Sequence, residues 1–201
     1  MKKGSIVVFS GSFNPPLNSH FSIAQQVINQ FEEVEKVIFV PINKECNKKG
    51  LLDNRHRYNM IKLVADKNEK FEVSDMDFKN EKSSFTIESL EEIQKQFPDK
   101  QIWYIVGTDN LKKLYTWKRA EDLVSKYKIL VMERENDSMQ EVVEENPLYA
   151  KHKQNFIAID QEIRSNYNST YVRNQIKNRK SVRYLLPDEV LEYIEKNQLY
   201  R

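Results

Sequence analysis

The sequence predicts an α/β protein built on a doubly wound parallel sheet of five to six strands, with helices on both faces and a small helical segment at its C-terminal end. Three observations carry this. Short apolar runs recur along the chain at Ile6–Phe9, Val37–Val40, Phe71–Val73, Ile102–Val106, Ile129–Met132 and Phe156–Ile159. Stretches with a helical period lie between most of these runs. Two of the four glycines, Gly11 and Gly107, fall just after runs, at the sheet edge where ligands sit in folds of this class.

The first run, Ser5-Ile6-Val7-Val8-Phe9, is β-branched and too short for anything but a strand. FSGSFNPPLNSH, residues 9–20, then reads as a strand-to-helix turn. The helix after it presents Phe21, Ala24, Val27, Ile28 and Phe31 on one face. A second helix presents Tyr58, Ile61, Val64 and Ala65, and a third Ile87, Leu90, Ile93 and Phe97. Residues 133–154 are polar and charged and read as a solvated helix and loop. In YLLPDEVLEYIEKNQLY, Pro187 suits a first helical position and Asp188 and Glu189 suit the positive end of a helix dipole, with Val190, Tyr193 and Ile194 as the buried face. No repeat or low-complexity linker divides the chain, so residues 1–201 are expected to form one domain, its helical segment starting near residue 168.

Composition narrows the function. Lys and Arg number 32 against 30 Asp and Glu, a net charge of +2, which argues against a duplex nucleic acid as the main partner. The single cysteine, Cys46, excludes an internal disulfide and fits a reducing compartment. Nowhere do about 18 apolar residues run together, so no membrane partner is expected and the protein reads as soluble and cytoplasmic. GxxxxGK[ST] and GxGxxG are both absent, as are metal-ligand spacings and a nucleophile elbow.

Two distant segments carry the positive signal. Gly11-Ser12-Phe13-Asn14-Pro15-Pro16, with His20 four residues on, follows the first strand; Asn168-Ser169-Thr170-Tyr171-Val172-Arg173 follows the last strand and opens a helix. Both are places where unpaired backbone N–H groups can meet phosphates. Together they resemble the two signatures of the nucleotidylyltransferase superfamily, a G-[ST]-F-x-P-x-H-x-G-H turn and an S-S-T-x-[IV]-R helix start. Within it the chain is most similar to the nicotinate/nicotinamide mononucleotide adenylyltransferases. GTDNLKKLYTW (107–117) looks like that family's G-x-D-x…L…W segment, Ser84-Phe85-Thr86 like its S-Y-T, and VRYLLPDEVLEYIEKNQLY like its C-terminal helix.

The resemblance implies a Rossmann-like fold and adenylyl transfer from ATP to nicotinate or nicotinamide mononucleotide in NAD biosynthesis, with Mg²⁺ carried on the ATP phosphates. By the same resemblance His20 and Arg173 are catalytic, and Gly11, Ser12, Phe13, Gly107, Asp109, Ser169 and Thr170 bind ATP. Thr86, Trp117, Arg134 and Lys48 then contact the mononucleotide. On the residues alone Asp109 also reads as an N-cap, and a tryptophan such as Trp117 is more often core than site. The sequence sets no oligomeric state, and a homo-oligomer is compatible with it.

The match breaks at Leu17-Asn18-Ser19-His20, where the family has H-x-G-H: a leucine replaces the first histidine. With Leu17 facing the same cleft mouth as His20, one phosphate contact is expected to be lost. That costs roughly 1.5–3 kcal/mol, or about 10–100-fold in rate. A nucleotide-binding regulator with the same pocket, or an adenylyl- or cytidylyltransferase for another phosphorylated substrate, fits the same residues.

Overall fold

Ser5 to Phe9 are buried without interruption, the pattern of a strand with helices over both faces. The computed structural model describes residues 4–43, 50–78, 85–133, 137–160 and 167–201. In chain order the elements are β1 (Ser5–Gly11), α1 (Asn18–Gln30), β2 (Val34–Pro41), α2 (Asn54–Ala65), β3 (Phe71–Val73), α3 (Thr86–Gln96), β4 (Gln101–Gly107) and α4 (Thr108–Leu114). There follow α5 (Ala120–Lys126), β5 (Lys128–Met132), α6 (Met139–Glu145), α7 (Pro147–Lys151), β6 (Phe156–Ala158), α8 (Ser169–Lys177) and α9 (Asp188–Lys196).

The strands form one sheet in the order β3-β2-β1-β4-β5-β6, every neighbouring pair parallel. Period-two alternation divides the core into two layers. Ile6 and Val8 point with Ile102, Tyr104 and Val106 toward α3, α4 and α5. Val7 and Phe9 point with Trp103 and Ile105 toward α1 and α2. The chain order reverses between β1 and β4, the switch point at which such sheets hold ligands. Pairing of β1 with β4 stops at Val8↔Tyr104, although each strand continues three residues further, whereas β1 stays paired with β2 as far as Gly11↔Pro41. A crevice therefore opens at the carboxyl ends of the two central strands.

A third apolar cluster joins α8 and α9 to α2 through Met60, Val172, Leu186, Val190 and Ile194. Leu17, the residue before α1, belongs to this cluster and is only 2% exposed. The expectation that it faces the cleft beside His20 is thus corrected: the C-terminal helical segment covers it. Three smaller differences accompany it. The second helix buries Arg57 and Met60 together with Ile61 and Ala65, while Tyr58 is only half-buried. Pro187 stands at the N-cap of α9, one residue outside it. Residues 139–151 carry Val143 and Tyr149 into the core, so that stretch is not only solvated. Among the described residues no helix is long and apolar enough to cross a membrane.

Because Leu17 fills a closed apolar site, Leu17→Ala is expected to lower stability by about 2–5 kcal/mol in urea unfolding. A loss below about 1 kcal/mol would mean that its side chain reaches solvent.

Candidate functional site

Phe13 has a left-handed backbone, φ 43°, an uncommon conformation for a side-chain-bearing residue and one that costs about 1–3 kcal/mol. Ring packing holds it there: its ring meets Phe9, His20 and Phe39 edge-on, with centroids 5.5, 5.1 and 5.9 Å away. The Phe13 ring lies so close over Gly11 that a Cβ there would come within 3.2 Å of it. Glycine at 11 is what lets the turn fold back on the strand.

Two buried polar side chains fix the rest of the turn. The Asn14 amide donates to the Gly50 carbonyl (3.0 Å), and its Oδ1 accepts from Leu52 N–H (3.3 Å) and the Tyr200 hydroxyl (2.8 Å). Burial raises the Tyr200 phenol above its ordinary range, which keeps it a donor. Arg57 is fully buried and donates to the Ser12 carbonyl (3.0 Å), the Leu52 carbonyl (2.9 Å) and Asn54 Oδ1. Sequence reasoning missed Arg57. The available signal was its position four residues before Ile61, on the buried stripe of α2.

The two motif segments meet directly. Ser169 Oγ donates to the Pro15 carbonyl (2.9 Å), and Arg173 donates to the Asn14 carbonyl (2.8 Å) and Thr170 Oγ1 (3.1 Å). Asn168 is the N-cap, accepting from Tyr171 N–H, so the opening of α8 stands against the turn after β1. His20 lies in the first turn of α1, where its Nδ1 accepts from Leu17 N–H (2.9 Å). In the neutral ring that bond assigns the proton to Nε2.

Across the crevice Gly107 is the N-cap of α4, and Asp109 is its second residue, exposed to solvent; Asp109 is not itself the cap. Past the end of α4 lies an open groove of about 320 Å³, lined by Phe85, Thr86, Thr116, Trp117 and Lys118. Thr86 is the first residue of α3. Trp117 is half-buried, packed against the core and also lining the groove. Lys48, Arg134 and Ser84 lie outside the described residues.

A small cavity of about 30 Å³ shares Thr86 with the groove and has Ser10, Asp77, Ser89 and Tyr104 in its wall. Burial pushes the Asp77 carboxyl above its usual range, opposed by the hydrogen bond it accepts from Ser89 Oγ (2.8 Å). Burial likewise pushes Tyr104 up to about 12, against a hydrogen bond with Thr86. Nothing in the sequence pattern around Asp77 marked it as buried.

A cytidylyltransferase-like family model matches residues 8–175. The chain belongs to that family. It is 32% identical to the "probable nicotinate-nucleotide adenylyltransferase" of Clostridium tetani, with all of both chains covered. It is also 32% identical to the protein of that name from Caldicellulosiruptor bescii, with 98% of each covered. These full-length relatives place it among the nicotinate-nucleotide adenylyltransferases, a nucleotidyltransferase family. The Plasmodium falciparum nicotinic acid mononucleotide adenylyltransferase complexed with NaAD superposes with a TM-score of 0.81 over 98% of this chain and 97% of that one. The same enzyme complexed with APC gives 0.80. At 18% identity both comparisons speak for the fold alone.

Native Asp77 holds its proton more tightly than an unfolded aspartate, whose ordinary value is 3.8. Its contribution to stability is therefore greatest below that value and falls as pH rises through the raised one. Asp77→Asn, which keeps an acceptor for Ser89, is expected to raise Tm at about pH 7 and change it little at about pH 3. A lower Tm at the higher pH would mean that the carboxylate is stabilised by a partner.

Proposed function

We propose that this chain transfers the adenylyl group of ATP to nicotinate mononucleotide, forming the dinucleotide and releasing pyrophosphate. The observation that carries the reading is the docking of the α8 opening on the turn after β1, through Ser169–Pro15 and Arg173–Asn14. This sets two groups of phosphate-binding donors against each other at the switch point of the sheet.

In this reaction a phosphate oxygen of the mononucleotide attacks the α-phosphorus of ATP. The bond from that phosphorus to the bridging oxygen breaks in line, and pyrophosphate leaves with the electron pair. The protein positions the reactants and supplies donors where charge builds up. Backbone N–H groups of Gly11, Ser12 and Phe13 approach the α-phosphate, and His20 offers its Nε2 proton to the same group. Ser169 and Thr170 receive the β- and γ-phosphates at the head of α8, with the Arg173 guanidinium one turn in. Gly107 lets backbone approach the nucleoside, and Asp109 accepts from the adenosine ribose hydroxyls.

On the other side, Trp117 stacks on the pyridine ring and Thr86 holds its substituent. Lys48 and Arg134 are assigned to the mononucleotide phosphate on family resemblance alone. Mg²⁺ enters as the metal of the MgATP substrate and offsets charge on the departing pyrophosphate. Among the described residues no three His, Cys, Asp or Glu side chains converge as a metal site. The chain works as a single domain, because α8 supplies one wall of the site.

The test is pyrophosphate release with ATP and each mononucleotide in turn. Turnover with nicotinate mononucleotide is expected; ATP binding without pyrophosphate from either acceptor would instead mark a nucleotide-binding regulator. His20→Ala is expected to lower kcat by about 10–100-fold, the worth of one hydrogen bond to a charged group. Trp117→Ala is expected to raise the KM for the mononucleotide by about 3–10-fold and that for ATP much less, since stacking acts on the pyridine ring alone. Equal rises in both KM values would return Trp117 to a purely structural part.

A further inference from the structure

Lys118 is the one cation among the described residues that line the groove of Thr86 and Trp117. It follows Trp117 in the chain, yet its ammonium reaches across to the opposite wall. There Nζ lies 4.3 Å from the centroid of the Phe85 ring and 2.7 Å from Glu88 Oε1. Glu88 is in the first turn of α3, and its other oxygen accepts from Phe85 N–H (3.1 Å). Both partners of the pair remain partly open to solvent, with side-chain exposures of 45% and 41%. The pair is accordingly weak, and a second anion entering the groove can compete for the ammonium.

We propose that Lys118 is a specificity-determining residue that selects a pyridine ring bearing a carboxylate over one bearing a carboxamide, with Glu88 acting against it. This rests on the reading of the groove as the pyridine site. The two rings have nearly the same shape and differ by one unit of charge, so stacking on Trp117 discriminates little between them. An ammonium at the groove wall attracts the carboxylate, while a carboxamide offers it only a dipole. Glu88 repels the same carboxylate and occupies the ammonium when the groove is empty. The two side chains therefore push discrimination in opposite directions, which a purely structural clasp would not do.

The readout is the ratio of kcat/KM for nicotinate mononucleotide to that for nicotinamide mononucleotide. Lys118→Met is expected to lower this ratio about fivefold, the upper range for a solvent-exposed charge pair. Lys118→Arg, which keeps the charge, is expected to retain most of it. Glu88→Gln preserves an acceptor for Phe85 N–H and is expected to raise the ratio severalfold, with the double variant between the two single ones. The effects are expected to shrink in high salt. The proposal is overturned if Lys118→Met and Glu88→Gln move the ratio in the same direction, or if neither moves it by more than about twofold, within assay precision. An unaltered chain that releases pyrophosphate with neither mononucleotide refutes the pyridine reading itself, and this inference with it; unresponsive variants of an active enzyme refute the inference alone.

Discussion

Asn14 is where separate parts of the chain are tied to the turn after β1. Its amide reaches Gly50, its Oδ1 collects Leu52 and Tyr200, and its own carbonyl accepts from Arg173. One buried side chain and its backbone thus connect the loop before α2, the head of α8 and the stretch beyond α9. Turn, helix start and crevice hold their relative positions through these bonds. A buried amide with its hydrogen bonds made specifies geometry strongly, because any displacement leaves a polar atom unpaired away from water. The left-handed backbone of Phe13 next door persists in the same way: its neighbours over-determine it.

Arg57 performs the corresponding service from beneath. A fully buried guanidinium is costly unless its donors are matched, and here they meet two backbone carbonyls and an amide oxygen. One of those carbonyls belongs to Ser12. The turn is therefore gripped on its carbonyl side by Arg57 and Arg173.

The fold was legible because most strands carry a short unbroken apolar run. Phe71–Val73 was read to the residue, and β1 and β4 extend beyond their apolar runs only by flanking residues such as Ser5, Gly11 and Gly107. A strand covered on both faces has no polar alternation to confuse the pattern. The meeting of 11–20 with 168–173 was legible through the resemblance, in which these are the two signatures of one family. Leu17 was misread because the resemblance puts a phosphate-facing histidine at that position, whereas its surroundings come from α2, α8 and α9, far along the chain. Asp77 escaped because its burial follows from tertiary partners and leaves no period in the sequence, and Arg57 because its charge masked a place on the buried stripe of α2. Tyr149 was hidden by the polar residues around it, although its hydroxyl, 2.8 Å from the Leu111 carbonyl, anchors α7 to α4.

The bond from Tyr200 to Asn14 spans 186 positions of sequence. On a ribosome the chain emerges from its N-terminal side, so β1 and the residues of the turn are exposed long before Tyr200 has been made. The two halves of the sheet can collapse while α9 is still inside the exit tunnel, but the turn then lacks its farthest anchor. The turn therefore cannot be fully braced until Tyr200 has been made. Maturation of the site is thereby a late event of biosynthesis, timed by the contour of the chain.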